Sequence, residues 1–413
     1  MNLYRLSGSS IANFSLRKVF IISFAFFFAV WGASWSFPII KIPYSFIWIG
    51  FTLVSLVFFN QYRIKIKDLA VFGLIGASLS FYLILGMPDN LSSDRVSADV
   101  MYLVTYYSKF IFGFLVFFSF INVFEDETDI RLFFLTCALF IICIVPFLAW
   151  KYLVVYDLDY IGVVVDDALG GVKVYKNSLA TSLAYVTPFL FAACYTEKNT
   201  RFIFLLSLFL VLFFFYYVNS RSALIILGFE FLIFLFLSRS KVIKKGIKIT
   251  SIFLVLVLVI GGFSINDWFR KSGSYSDSGF KDVATESILQ THRGWLLIEA
   301  LEGSINTAGL GNGLSTFRIR PTNEGSRTDT HNDYSLLLYE QGLIGFSLII
   351  YLIIWRVFLS IKLSKEIDNR YLEASASSLI GLFVSLMFIN IIQTSIFWAL
   401  IAINFSIFKI YKR

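Results

Sequence analysis

The chain has 413 residues, of which 58% are hydrophobic, 19% aromatic and only 15% charged, against roughly a quarter charged in soluble domains. That balance excludes a soluble globular protein and makes this a membrane protein. The formal charge of +8 does not argue for nucleic acid, because Lys and Arg sit in short stretches between apolar runs, where membrane topology accounts for them. Runs that approach the roughly 20 residues of a membrane-crossing helix recur along the chain, about twelve in all. They fall near 18–36, 43–60, 68–86, 100–122, 131–149, 177–195, 201–218, 221–238, 247–264, 341–358, 373–391 and 393–409. The short alternating strands of a transmembrane β-barrel are absent from the pattern. The expected fold class is all-α: a polytopic membrane helix bundle of about twelve transmembrane helices. It is one integral membrane domain over 1–413, with a large extracytoplasmic loop at 265–340 that contains amphipathic helices.

Arg17 and Lys18 precede "VFIISFAFFFAVWGASWSF", which lacks a small-residue cleavage pattern and reads as an uncleaved first helix. Basic residues then recur in alternate loops: Arg63, Lys65 and Lys67; Lys198 and Arg201; Arg239 to Lys248; and Arg356, Lys362, Lys365 and Arg370. By the positive-inside rule these loops and both termini are cytoplasmic. The acidic inside loop "EDETDIR" is the exception, and reads as a solvated loop. This topology puts 150–176 and 265–340 on the outer face. Cys137, Cys143 and Cys194 fall in apolar runs without a CxxC pattern, so no disulfide or zinc site is expected. Lys109 and Glu230 lie inside spans, about nine residues from their outer ends and so roughly 13 Å deep. They are expected to pair with each other or to face a polar cavity.

Within the outer loop, "VATESILQTHRGWLLIEALEG" has helical apolar spacing and closes at Gly303. "GLGNGLSTF" lacks the GK[ST] of a nucleotide-binding loop; its glycines suit a tight turn, with Arg318 and Arg320 following. Asp166 and Asp167 are a weak metal signal. Three groups put a cation or titratable ring at the outer boundary: Arg221 in "NSRSALIIL", Arg293 in "THRGW" and His331 in "DTHNDY". Each has a plainer reading. Arg221 can snorkel at a helix end, Arg293 can sit on a solvated face, and "THND" can be capping chemistry from Thr330 or Asn332. Together they suggest an anion site, since arginine's planar fork binds phosphate bidentately and histidine can take a proton from a hydroxyl near neutral pH.

In series, "NSRSALIIL", "RGWLLIEAL", "GLGNGLSTF" and "THNDYSLLLYEQGLIG" resemble, in order and spacing, the O-antigen ligase and polymerase family of bacterial envelope proteins. The resemblance is sharpest over 218–348, weaker at "YKNSLATSL", and rests on hydropathy alone in the first 150 residues. It implies a membrane glycosyltransferase at the periplasmic face of the bacterial inner membrane. The donor would be a glycan linked to undecaprenyl pyrophosphate and the acceptor a sugar hydroxyl, either of lipid A core or of a second lipid-linked repeat. No metal, nucleotide sugar or other cofactor is expected, and no nucleic acid. Carried over by position, the essential arginine after the seventh span is Arg221, the loop arginine Arg293 and the histidine before the late span His331. On this reading Arg293 and His331 are catalytic, Arg221, Arg293, Arg318 and Arg320 bind substrate, and the 265–340 loop carries part of the active site. The spacing favours ligation of O-antigen to lipid A core over polymerisation of O-antigen, capsule or exopolysaccharide repeats. A lipid-glycan transporter would share the spans and the outer arginines, but the halves show no hydropathy duplication and no paired broken helices.

Overall fold

The computed structural model describes residues 5–29, 33–35, 44–59, 66–93, 95–155, 172–174, 176–218, 220–238, 292–319 and 332–412. A backbone that crosses lipid must satisfy its own hydrogen bonds, and the described residues are accordingly almost all helical. In order they form α1 (Arg5–Ala29), strand β1 (Ala33–Trp35), α2 (Tyr44–Phe58), α3 (Ile66–Ser92), α4 (Val96–Val123) and α5 (Glu127–Ala149). Strand β2 (Val172–Val174), α6 (Lys176–Thr196), α7 (Arg201–Val218) and α8 (Arg221–Leu237) follow. The last group is α9 (His292–Asn306), α10 (Thr316–Ile319), α11 (Asp333–Ile367), α12 (Arg370–Ser385) and α13 (Ser395–Tyr411). Among the described residues the departures from an all-α pattern are a π-helical turn at Trp150–Val155 and the antiparallel ribbon of β1 and β2, with Ser34 opposite Lys173.

Among the described residues six helices are long and apolar enough to cross a bilayer: Leu69–Ser92, Val96–Val123, Glu127–Ala149, Ser178–Thr196, Arg201–Val218 and Asp333–Ile367. Shorter apolar helices lie at Ile49–Phe58, Ser222–Leu237 and Ser395–Tyr411. The expected span at 247–264 lies outside the described residues. Large side chains such as Val57, Ile84, Phe202 and Phe236 are 69–79% exposed. Apolar side chains that bare, repeated around a bundle, mark the surface that lipid covers.

At the centre stands α12, packed against α6, α8, α11 and α13. Its "ASASS" run is wholly buried; small residues let helix backbones approach closely where lipid supplies no hydrophobic drive between helices. Elsewhere large rings fill the gaps. Phe24 stacks on Phe120 with ring centres 4.5 Å apart, and Phe134 on Phe189 at 4.2 Å. Trp398 of α13 lies over Gly113 of α4, where any Cβ would strike the indole.

One end of the bundle is ionic. "EDETDIR" is built into the fold there: Asp126 caps α5 by accepting from the Asp129 N–H at 3.0 Å, and Asp129 accepts in return from the Glu125 and Asp126 N–H groups. Arg17 of α1 pairs with Glu125 and lies 3.5 Å from Asp129. Arg131 bridges Glu127 at 2.6 Å and Glu197 at 2.9 Å. An acidic loop in a basic neighbourhood is thus the partner of Arg17, which arrives from α1, and not merely a solvated loop. The expectation that Arg356 lies in a basic loop is also corrected. α11 continues to Ile367, and Arg356 is buried in it, donating to Asn404 Oδ1 at 2.9 Å with its guanidinium 3.7 Å from the Phe405 ring centre. Asn404 in turn donates to Ser360 and Ser375, so the cation is held by amide, hydroxyl and ring rather than exposed to water.

Candidate functional site

Arg221 begins α8, Arg293 is the second residue of α9 and Asn332, which follows His331, caps α11; the packing fixes which end of the bundle the starts of α8 and α11 occupy. Tyr185 of α6 meets Ser378 and Ser385 of α12, whereas Phe189 and Tyr371 share Phe134 as a stacking partner; α6 and α12 therefore run in opposite senses. Phe191 of α6 packs on Phe231 and Phe234 of α8, while the adjacent Ser377 and Ser378 of α12 donate to the Glu230 and Tyr185 carbonyls, so α8 runs with α6. The start of α8, which is Arg221, thus lies at the end where α12 finishes. There the chain turns, and α11 begins against the turn: the Asp333 N–H donates to the Leu386 carbonyl at 2.8 Å, and Asp333 Oδ2 accepts from Ile391 N at 2.5 Å and Ile392 N at 2.9 Å. Asn332 caps α11, accepting from the Tyr334 and Ser335 N–H groups at 2.9 and 3.2 Å.

α9 packs on α11, with Gly303 against Tyr339, and Arg293 is its second residue. The backbone of Arg221 and the residue that follows His331 are on the same end of the bundle. His331 and Arg320 themselves lie outside the described residues.

Between α9 and α10 the "GLGNGLSTF" segment does structural work of a specific kind. α11 breaks at Gly342, which adopts φ 60°, and a break in a helix frees the carbonyls of the turn before it. The glycine segment satisfies them: Asn312 N donates to Tyr339 O at 2.8 Å and Gly313 N to Glu340 O at 2.9 Å, while Leu343 N donates to Gly309 O at 2.8 Å. On its other side Leu314 N donates to Tyr82 O at 2.9 Å, and Tyr82 Oη donates to Leu310 O at 2.9 Å. Gly309, Gly311 and Gly313 have φ of 75°, 87° and 98°, values that side chains disfavour. A tight glycine turn was expected here; its role as a splice between α3 and a broken α11 was not. The signal available was Gly342 in "YEQGLIG", which at the sequence level reads only as the start of a span.

Arg318, half-buried, follows the splice and places its guanidinium carbon 3.9 Å from the Tyr102 ring centre on α4. Tyr102 lies nearly parallel to Tyr106, with centres 6.0 Å apart. Stacking uses the guanidinium face and leaves the N–H edge in the ring plane, the edge that binds phosphate. Sequence reading missed Tyr102, since nothing near it points to Arg318.

Lys109 and Glu230 do not form the expected pair. Lys109 is exposed on α4, which packs on α2, α3 and α13, whereas Glu230 is buried on α8, which packs on α6 and α12. The two charges belong to different interfaces. Nor does Glu230 face a polar cavity: its carboxyl lies against Gly381, and neither oxygen has a hydrogen-bond partner.

No protein-family model matches the chain, and a search of curated proteins gives no significant match.

Proposed function

We propose that this chain is a membrane glycosyltransferase of the O-antigen ligase and polymerase kind. It moves a polysaccharide from undecaprenyl pyrophosphate to an acceptor sugar hydroxyl at the periplasmic face of the bacterial inner membrane, and its acceptor is lipid A core. The observation that carries this reading is that Arg221, which begins α8, and Asn332, which adjoins His331 and caps α11, lie toward one end of a bundle with lipid-facing sides. In the transfer the anomeric C–O bond to pyrophosphate breaks, and the acceptor oxygen forms the new bond. Negative charge grows on the pyrophosphate, where Arg221 and Arg293 stabilise it, supported by Arg318 and Arg320. The acceptor hydroxyl proton passes to His331 acting as general base. Neither a metal nor a nucleotide enters the reaction as proposed.

The test is a reaction of the purified protein with undecaprenyl-pyrophosphate glycan, without added metal or nucleotide, offering lipid A core and a second lipid-linked repeat in separate tubes. Glycan on lipid A core is the expected result. A ladder on the polyprenyl carrier instead makes the enzyme a polymerase, and no product with either acceptor overturns the transferase reading.

A further inference from the structure

Arg318 carries a charge that nothing beside it neutralises. Among the described residues no carboxylate pairs with its guanidinium and no hydrogen bond holds it; the guanidinium carbon lies over the face of Tyr102, 3.9 Å from the ring centre. Attraction to a ring leaves the charge in place. The acid of α4, Asp99, is buried one turn before Tyr102 and makes no ion pair with Arg318. The arginine side chain is half-buried, so it is neither sealed in the core nor spread in water.

Both partners in this stack are fixed from behind. Ahead of Arg318, Leu314 N donates to Tyr82 O at 2.9 Å and Thr316 Oγ1 to Gly313 O at 2.7 Å, while the Phe317 ring lies edge-on to Tyr339 with centres 5.0 Å apart. These contacts tie the short α10 to α3 and α11. Tyr102 in turn begins a column of rings on one face of α4: Tyr106 lies parallel to it, and Phe110 stands edge-on to Tyr106 with centres 5.4 Å apart. Tyr106 and Phe110 are buried. An arginine stacked on an anchored ring has lost much of its rotamer freedom before any ligand arrives, and its N–H edge stays open to a planar anion.

The stack also lies at the end of the bundle that the donor needs. α4 finishes at Val123, two residues before the Glu125 that pairs with Arg17. Arg131 and Tyr371 both meet Glu197 at that ionic end, so α12 starts there and α4 finishes there. The first turns of α4 are therefore at the opposite end, with the starts of α8 and α11. Tyr102 is about six residues into α4, roughly 9 Å along its axis.

We propose that Tyr102 is a positioning residue: its ring holds the Arg318 guanidinium so that the N–H edge takes a phosphate oxygen of the undecaprenyl pyrophosphate donor. The inference rests on the donor assigned above and acts on its binding, before any bond is broken.

The test is equilibrium binding of undecaprenyl pyrophosphate to the full-length protein in detergent, read by native mass spectrometry with phosphatidylglycerol as competitor. Arg318→Gln is expected to weaken binding about tenfold or more, the loss of a charge-assisted bond. Tyr102→Leu weakens it about threefold or more, as the stack is lost, and Tyr102→Phe, which keeps the ring, recovers most of that loss. The double variant binds no more weakly than Arg318→Gln alone, because the ring acts through the guanidinium; a ring that serves only as packing would add its own loss. Tyr102→Met supplies the same comparison should Tyr102→Leu fail to accumulate. Wild-type binding that persists in Arg318→Gln or in Tyr102→Leu, additive losses in the double variant, or displacement of the donor by phosphatidylglycerol would overturn this inference alone. Wild-type protein that does not bind the carrier at all would overturn the donor assignment as well.

Discussion

At the scale of single residues, the candidate site rests on a few side chains whose chemistry is hard to replace. His331→Ala and Arg293→Ala are each expected to abolish glycan transfer while membrane levels and thermal stability in detergent stay near wild type. Arg221→Lys should leave much weaker activity, because a lysine keeps the charge but loses the two parallel N–H bonds that grip a phosphate. Normal activity in all three variants would remove the site assignment. Asp333 is a different case. Its carboxylate satisfies two buried N–H groups of the 386–392 turn, and each donor left unpaired costs about 1–3 kcal/mol. Asp333→Ala should therefore lower the melting temperature as well as activity, whereas the neighbouring His331→Ala should lower activity alone. A melting temperature unchanged by Asp333→Ala would show that the clasp does not hold the turn.

At the scale of elements, the broken α11 and its glycine splice make a prediction that separates glycines by role. Gly311 has φ 87° and lies against Gly342 and Glu340 of α11, so Gly311→Ala carries about 1–2 kcal/mol of left-handed strain in addition to overlap with backbone. Gly228 sits inside α8 with nothing within 4 Å of its would-be Cβ; Gly228→Ala should be neutral or stabilise by up to about 1 kcal/mol, since alanine favours helix. Thermal unfolding of the two variants in one detergent checks the contrast, and equal effects would contradict the splice. Much of this level was legible beforehand. The runs at 201–218 and 221–238 match α7 and α8 almost residue for residue, because an apolar stretch in lipid has little choice but helix. The run at 373–391 was drawn too long: α12 stops at Ser385, and the apolar residues after it form the turn held by Asp333. Hydropathy cannot see that stop, because the groups that impose it come from another helix. For the same reason the sequence showed the glycines as a turn but not the carbonyls of Tyr339 and Glu340 that they serve.

For the whole molecule, the contacts divide between two ends. Arg17, Glu125, Asp129, Arg131 and Glu197 gather at one, and the starts of α8 and α11 at the other. This is the alternation that the basic loops predict, and it has a direct check. In a background with Cys137, Cys143 and Cys194 replaced by alanine, Lys198→Cys should react with a membrane-impermeant maleimide only from the cytoplasmic side and Asp89→Cys only from the periplasmic side; both residues are exposed. Labelling of both from one side would overturn the topology and with it the periplasmic site. The most direct measurement of the central claim follows the donor rather than the acceptor: counting undecaprenyl pyrophosphate released by the purified protein against glycosidic bonds formed. The account predicts one carrier released per bond by wild type and none by Arg293→Ala or His331→Ala. Glycan that moves with its carrier still attached, or release that is equal in all three proteins, would contradict it.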